Sequence, residues 1–189
     1  MQVHRWSLDI LSALEHLHGL DPVVIHRDLK PANILVTPHA LKLIDFGLSK
    51  RTPREDGSPL GRSSWRHTCN IGTPRYMAPE VLDSVCAGQH SSVIFSIYTE
   101  KADIYSGALV LWYLLTGMLP NCKVRQDRRA RPPLEPAMRR WPALARLVER
   151  MWEHDPEMRP SAAECVGELR SLTPAVRCGV AGGAACTLL

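Results

Sequence analysis

Apolar residues recur at three- and four-residue intervals through the opening of the chain: Val3, Ile10, Leu14 and Leu17, with Leu11 and Ala13 widening the stripe. This spacing predicts an amphipathic helix over residues 2–18, with Gly19 placed to end it as a left-handed cap. VVI (23–25) predicts a short buried strand; ILV (34–36) and LKLI (41–44) predict two more, joined by TPHA as a hairpin. Residues 49–74 are polar and interrupted by Pro and Gly, the pattern of a long loop. TEKADIYSGALVLWYLLT (99–116) is apolar around most of its circumference, which predicts a central buried helix with Thr99 as N-cap, Glu100 in the first turn and Gly117 as stop. RQDRRARPPLEP (125–136) reads as a basic, proline-broken connector, its arginines, Arg131 among them, a solvated run. WPALARLVERMW puts Leu144, Leu147, Val148 and Met151 on one helix face, with Pro142 in the first turn. SAAECVGELRSL opens with Ser161 and Glu164 at capping-box spacing. The tail after Pro174 has little to bury and is expected to be disordered. The fold class is mainly α with short β hairpins.

At 189 residues the chain suits one domain or a sizeable piece of a larger one, and its net charge of +4 is too mild to argue for nucleic acid. Its six cysteines are scattered without a C-x-x-C pair, and MQVHRWSLDI lacks the apolar stretch of a secretory signal. Reduced thiols in the cytoplasm, or the nucleus, are the expectation. The longest apolar segment, GALVLWYLLTGML, is too short and interrupted to span a bilayer. The five tryptophans are expected in the core.

A polar island interrupts this pattern: VVIHRDLKPANILV (23–36) sets His26, Arg27, Asp28, Lys30 and Asn33 between runs that favour burial. Ionisable groups beside a core are costly unless paired, hydrogen-bonded or acting on a ligand. Asn33, with Asp45 of IDFGL, supplies oxygen ligands suited to Mg²⁺, which takes few protein ligands. Asp28 is a candidate acceptor for the proton of an attacking hydroxyl, and Lys30 can neutralise charge on a transferring phosphoryl group. Gly47 allows a sharp turn after Phe46, a side chain that favours burial.

HRDLKPAN (26–33), DFG (45–47) and APE (78–80), in that order, resemble the catalytic loop, metal-binding loop and activation-segment end of the protein kinases. The resemblance covers about residues 1–172. It implies a kinase domain over 1–173, followed by the tail at 174–189. The implied fold is the helical C-terminal lobe of a protein-kinase-like fold, without the β-rich N-terminal lobe. The implied roles are Asp28 as catalytic base, Lys30 on the γ-phosphate, and Asn33 and Asp45 on Mg²⁺. Nucleotide contacts are implied for Lys30, Asn33, Leu35 (the floor under adenine), Ile44 and Asp45. His26 and Phe46 would stack in an internal spine anchored by Asp103, and Glu80 would form a buried ion pair with Arg159. ATP and Mg²⁺ are the implied cofactors. Lys30 after RDL, and Thr73 in GTPRYMAPE, resemble the serine/threonine kinases, and DIYSGALVLWYLLTG with DPEMRPS resembles the tyrosine-kinase-like group. Protein substrates with Ser or Thr acceptors are the implied partners. Arg27 resembles the arginine that binds a phosphate on the activation segment, with Thr68 the best-placed acceptor and Ser63 and Ser64 next.

The sequence also departs from the family. No Gly-rich loop, Val-Ala-x-Lys strand or Glu-bearing helix precedes the first helix, so the 189-residue chain is expected to be a truncated lobe, inactive alone. The rival reading is a non-catalytic interaction or scaffold module. Residues 84–97 resemble an insert, and the segment at 121–130 stands where the family has a docking helix. Gly107 replaces a bulky residue, which predicts a packing gap. Cys186-Thr-Leu-Leu matches a prenylation box, the one feature that would bring the chain to a membrane. Oligomeric state is not legible.

Overall fold

The computed structural model of the protein describes residues 2–52, 73–82, 99–120 and 129–172. Helix α1 (Gln2–Gly19) opens the chain and is followed by strand β1 (Val23–Ile25), the loop of the polar island, and the hairpin of β2 (Ile34–Val36) and β3 (Leu41–Leu43). Strand β4 (Lys50–Thr52) comes next, and residues 79–82 are helical. Helix α2 (Glu100–Thr116) forms the centre, followed by α3 (Glu135–Arg140), α4 (Pro142–Met151) and α5 (Ala162–Leu172).

The core assembles on α2, whose residues from Ala102 to Trp112 are all buried except Ser106. Helices α1 and α4 pack against it, and α5 packs on α1. Leu14 of α1, Leu109 and Leu111 of α2, and Leu147 and Val148 of α4 are essentially inaccessible. Gly117 ends α2 at φ 71°, its amide bonded to the Tyr113 carbonyl at 2.8 Å, as a left-handed stop without side-chain strain. The capping box of α5 is closed from both ends: Glu164 Oε2 accepts from the Ser161 amide at 2.7 Å, and the Glu164 amide donates to Ser161 Oγ at 3.2 Å. The backbone N–H of Ser161, then its hydroxyl, hold the Glu164 carboxyl below the usual glutamate range.

Several expectations are corrected. Gly19 belongs to the last turn of α1 and has no positive φ; the chain leaves the helix through Leu20, whose amide reaches the Leu17 carbonyl. Residues 50–52, placed in a long loop by their polarity, form β4 and pair antiparallel with β1, Val24 opposite Arg51. Of β1 only Ile25 is fully buried. Thr99 is the N-cap of α2 but makes no side-chain cap bond. Glu135–Arg140, inside and beyond the proline-broken connector, folds as a short helix. Arg131 is half-buried, donating Nε to the Trp152 carbonyl at 2.8 Å, and is not part of a solvated run. At Gly107 the gap is small. A Cβ there would meet Met151 Cε at 3.5 Å and Leu14 and Leu29 methyls at 3.6 Å, so the neighbours leave room for a methyl group but not for a bulky side chain. Trp112 and Trp152 are buried as expected, with Trp6 and Trp141 packed against the core. Among the described residues, no helix is long and apolar enough to cross a membrane.

Candidate active site

The polar island is a loop held from beneath and from behind. Ile25 and Leu29, both buried, pin its two shoulders into the core. Between them Arg27 adopts φ 71°, a left-handed conformation that a non-glycine residue keeps only when its surroundings enforce it. The enforcing group is Asp103 on α2, 1 % exposed. Its Oδ2 accepts from the His26 amide at 2.8 Å and its Oδ1 from the Arg27 amide at 2.9 Å. A third donor, His18 Nε2 at the end of α1, lies 3.0 Å from Oδ2. Asp28 is the next residue after this clamped turn.

The Asp28 carboxylate is buried, and both its oxygens are engaged. Oδ1 accepts from the Thr73 amide at 3.0 Å and the Thr73 hydroxyl at 3.1 Å. Oδ2 accepts from Lys30 Nζ at 2.6 Å and Asn33 Nδ2 at 3.1 Å. Lys30 Nζ also donates to Thr73 Oγ1 at 2.8 Å, so the ammonium, the hydroxyl and the carboxylate form one closed cluster. Four donors on one carboxylate fix its direction. A hydroxyl admitted beside the Thr73 hydroxyl would meet an oriented anionic acceptor.

His26 donates through Nε2 to the Ile44 carbonyl at 3.1 Å, while its Nδ1 accepts from the Asp28 amide at 3.4 Å. These partners select the tautomer protonated at Nε2. The Ile44 amide in turn donates to the Asn33 carbonyl at 2.9 Å, continuing the β2–β3 ladder and carrying Asp45 alongside Asn33. Asp45 is the second non-glycine residue of positive φ, 62°, its Oδ1 accepting from the Gly47 amide at 3.2 Å. A Cβ at Gly47 would lie 3.2 Å from that oxygen, tighter than ordinary contact, so the close turn favours glycine.

The donor set fits a hard cation. Both amide hydrogens of Asn33 point at Asp28, which leaves its carbonyl oxygen without a donor among the described residues. Asp45 is exposed and anionic beside it. No cluster of three or more His, Cys, Asp or Glu that could hold a metal exists among the described residues.

Above this loop lies an apolar face open to solvent: Leu35 is 49 %, Ile44 39 % and Phe46 44 % exposed. Phe46 therefore does not bury itself, although its ring still meets His26 at 5.1 Å between centroids. Asp103 reaches His26 and Arg27 but makes no bond to Phe46.

Below the loop, Arg159 is fully buried and binds Glu80 through two parallel bonds of 2.7 and 2.9 Å; Glu80 itself is 24 % exposed, so the pair is buried on one side only. Arg159 also donates to the backbone carbonyls of Glu153 and Lys101. Its guanidinium lies over the Tyr105 ring at 5.1 Å, with Arg131 also 5.1 Å from that centroid. Burial pushes the Tyr105 hydroxyl above the usual phenol range, against the opposing pull of the two arginines. Thr68, Ser63, Ser64 and Cys186 lie outside the described residues, as do 84–97 and most of 121–130.

Sequence reasoning missed two contacts of this site. One is the grip of Thr73 on Asp28, forty-five residues away. The other is His18, which reads in sequence as one more polar residue at the end of an amphipathic helix.

The family model of the protein kinase domain matches residues 1–169. The chain belongs to the protein kinase family. It is 34 % identical over 174 residues to the probable serine/threonine-protein kinase drkC of Dictyostelium discoideum, covering 88 % of this chain and 21 % of that protein. It is 35 % identical over 173 residues to serine/threonine-protein kinase STY17 of Arabidopsis thaliana, covering 88 % and 26 %. Against the serine/threonine/tyrosine-protein kinase HT1 of the same plant, identity is 33 % over 187 residues, covering 94 % and 42 %. The chain thus spans about a fifth to a quarter of the length of these first two relatives.

Proposed function

We propose that the protein to which this kinase chain belongs transfers the γ-phosphoryl group of Mg-ATP to Ser or Thr hydroxyls of protein substrates, with Asp28 as the base. The observation that carries this reading is the cluster at Asp28. An oriented, buried carboxylate lies against a lysine ammonium, and beside it are an asparagine oxygen and an exposed carboxylate suited to a divalent cation. When bound, Mg²⁺ neutralises charge on the phosphates. The residues do the rest. Asn33 and Asp45 hold the ion, Lys30 moves between Asp28 and the transferring phosphoryl group, and Asp28 orients the acceptor hydroxyl and takes its proton. Leu35 and Ile44 offer an apolar floor for adenine. Thr73, whose hydroxyl and amide both bind the base, lines the seat of an acceptor and favours Ser/Thr over the longer Tyr.

The exposure of Leu35, Ile44 and Phe46 bears on the chain taken alone. A nucleotide laid on that face would be covered from one side only, so the isolated 189-residue polypeptide is inactive. The test is radiolabelled phosphate transfer to a generic basic protein by the purified 189-residue chain: no turnover is expected. Turnover that disappears in the Asp28→Asn variant would overturn the inactivity. A second reading, a non-catalytic lobe that binds partners, rests on the same open apolar face. Sequencing the transcript upstream of residue 1 separates the two, since an in-frame Gly-rich loop and Val-Ala-x-Lys strand supports the enzyme.

A further inference from the structure

We propose that Asp9 is a positioning residue for Mg-ATP, gripping the free edge of the β2–β3 hairpin so that its nucleotide face keeps one tilt. The proposal rests on the kinase reading for its kinetic consequence and on geometry alone for the grip. The hairpin has Asn33 and Asp45 at its base and Leu35 and Ile44 on its exposed face, whereas Asp28 and Lys30 lie on the loop before it. Its turn is closed on itself: the Thr37 amide donates to the Ala40 carbonyl at 3.0 Å, and the Thr37 hydroxyl donates to the same oxygen at 2.7 Å. Alternate amides of an antiparallel strand face away from its partner, and β3 is an edge of a two-stranded sheet, so those amides need acceptors elsewhere. The amide of Leu41, a buried residue, donates to Asp9 Oδ2 at 2.9 Å. One turn earlier on α1, Arg5 Nη2 donates to the His39 carbonyl. Residues 5 and 9 share a helix face, so α1 holds the hairpin at two points, one through an acceptor and one through a donor. Packing does not duplicate this hold. Behind the hairpin, Ile34, Val36 and Leu41 line an apolar cavity of about 270 Å³ together with Trp6 and Ile10 of α1. A hairpin backed by a cavity can rock toward the helix without a clash, and the Asp9 bond sets where it stands. Release of that bond moves Leu35, Ile44 and Asp45 together, while Asp28 stays fixed by Thr73 and by the Asp103 clamp on the preceding residue. Asp9 therefore acts on the seat of Mg-ATP and not on the transfer step.

The test compares Asp9→Ala, which removes the acceptor, with Asp9→Asn, whose amide oxygen retains one. In the 189-residue chain, hydrogen exchange is read at the Leu41 amide. Asp9→Ala is expected to accelerate it by about tenfold or more while α2 amides from Ala108 to Leu111 stay protected, and Asp9→Asn by no more than about threefold. In the full-length protein, Asp9→Ala should raise both the calorimetric Kd and the KM for Mg-ATP by about five- to tenfold with kcat within about twofold, and Asp9→Asn should recover most of the loss. A mere loss of folded protein does the reverse, lowering apparent kcat and sparing KM. Arg5 is exposed, so Arg5→Ala keeps the fold and should move Kd and KM the same way by about two- to threefold. Unchanged exchange at Leu41 in Asp9→Ala would overturn the grip. The positioning role is overturned by a Leu41 amide that accelerates while Kd and KM stay parental, by a fall confined to kcat, or by an Asp9→Asn variant no better than Asp9→Ala. Should Asp9→Ala unfold, parental Kd and KM in Arg5→Ala overturn it instead. If the full-length parent neither binds Mg-ATP nor transfers phosphate, the kinase reading fails, and the exchange arm still decides whether Asp9 holds the hairpin.

Discussion

Asp103 Oδ1 accepts the Arg27 amide at 2.9 Å across seventy-six residues, and Arg27 is one of only two non-glycine residues of positive φ among those described. The central helix thus dictates the backbone conformation of the residue before the proposed base. Asp103→Asn would present an amide hydrogen to at least one of the N–H donors that the carboxylate now satisfies. The expected cost is about 2–4 kcal/mol, from one lost charge-assisted bond and one unsatisfied buried donor. Urea unfolding of the two chains measures it, and a midpoint within error of the parent would show that the clamp does not hold the loop.

Arg159 is a second buried charge, with Glu80 as its anionic partner and backbone carbonyls filling the remaining donors. Truncation to alanine leaves Glu80 and those carbonyls without their donor. Arg159→Ala is expected to destabilise by about 3–5 kcal/mol, and Arg159→Lys by less but still measurably, because an ammonium cannot reproduce the two parallel bonds. Thermal unfolding by circular dichroism would rank the three proteins.

Gly107 sits mid-helix with contacts for a methyl group at 3.5–3.6 Å and nothing closer. Gly107→Ala should therefore stabilise by up to about 1 kcal/mol, through helix propensity and a filled contact. Gly107→Phe should destabilise, since Met151, Leu14 and Leu29 already occupy the space a ring would need. Chemical denaturation of both variants checks the pair of signs.

Two titrating groups act at opposite ends of the pH scale. The Glu164 carboxyl is held low by the Ser161 amide and hydroxyl, so its stabilisation is present above the ordinary glutamate range and is lost as pH falls through the lower folded value. Glu164→Gln should flatten that acid limb. Burial pushes the Cys165 thiol up to about 12, so it stays protonated in the fold, and its contribution fades as pH rises from the ordinary thiol range toward that value. At pH 8 iodoacetamide should leave Cys165 unmodified in the native chain and alkylate it in urea, as peptide mass mapping would read.

The long helices were legible for two different reasons: the Leu144, Leu147, Val148 and Met151 face of α4 repeats at a period close to 3.6, and α2 is apolar all round over seventeen residues, while the short helix Glu135–Arg140 carries neither signal. The Ser161 and Glu164 box was legible because its chemistry is local. Strand β4 was not, because Lys50-Arg51-Thr52 contributes backbone bonds to β1 and no apolar side chain to the core. Arg131 was hidden for a related reason: in an arginine-rich run, only the tertiary contacts with Trp152 and Tyr105 distinguish the half-buried one. At the site, Asp28, Asn33 and Asp45 stood out by type and spacing. The grips of Thr73 on Asp28 and of His18 on Asp103 span 45 and 85 residues, and no local pattern records them.

The most direct test of the account is phosphate transfer from ATP to a Ser/Thr peptide by the full-length protein, with and without Asp28→Asn, alongside Mg-ATP binding by calorimetry. The account predicts that the parent transfers phosphate to Ser or Thr. It also predicts that Asp28→Asn loses about 10²–10⁴-fold in kcat while ATP affinity stays within a few-fold. A variant that keeps the parental kcat would contradict it.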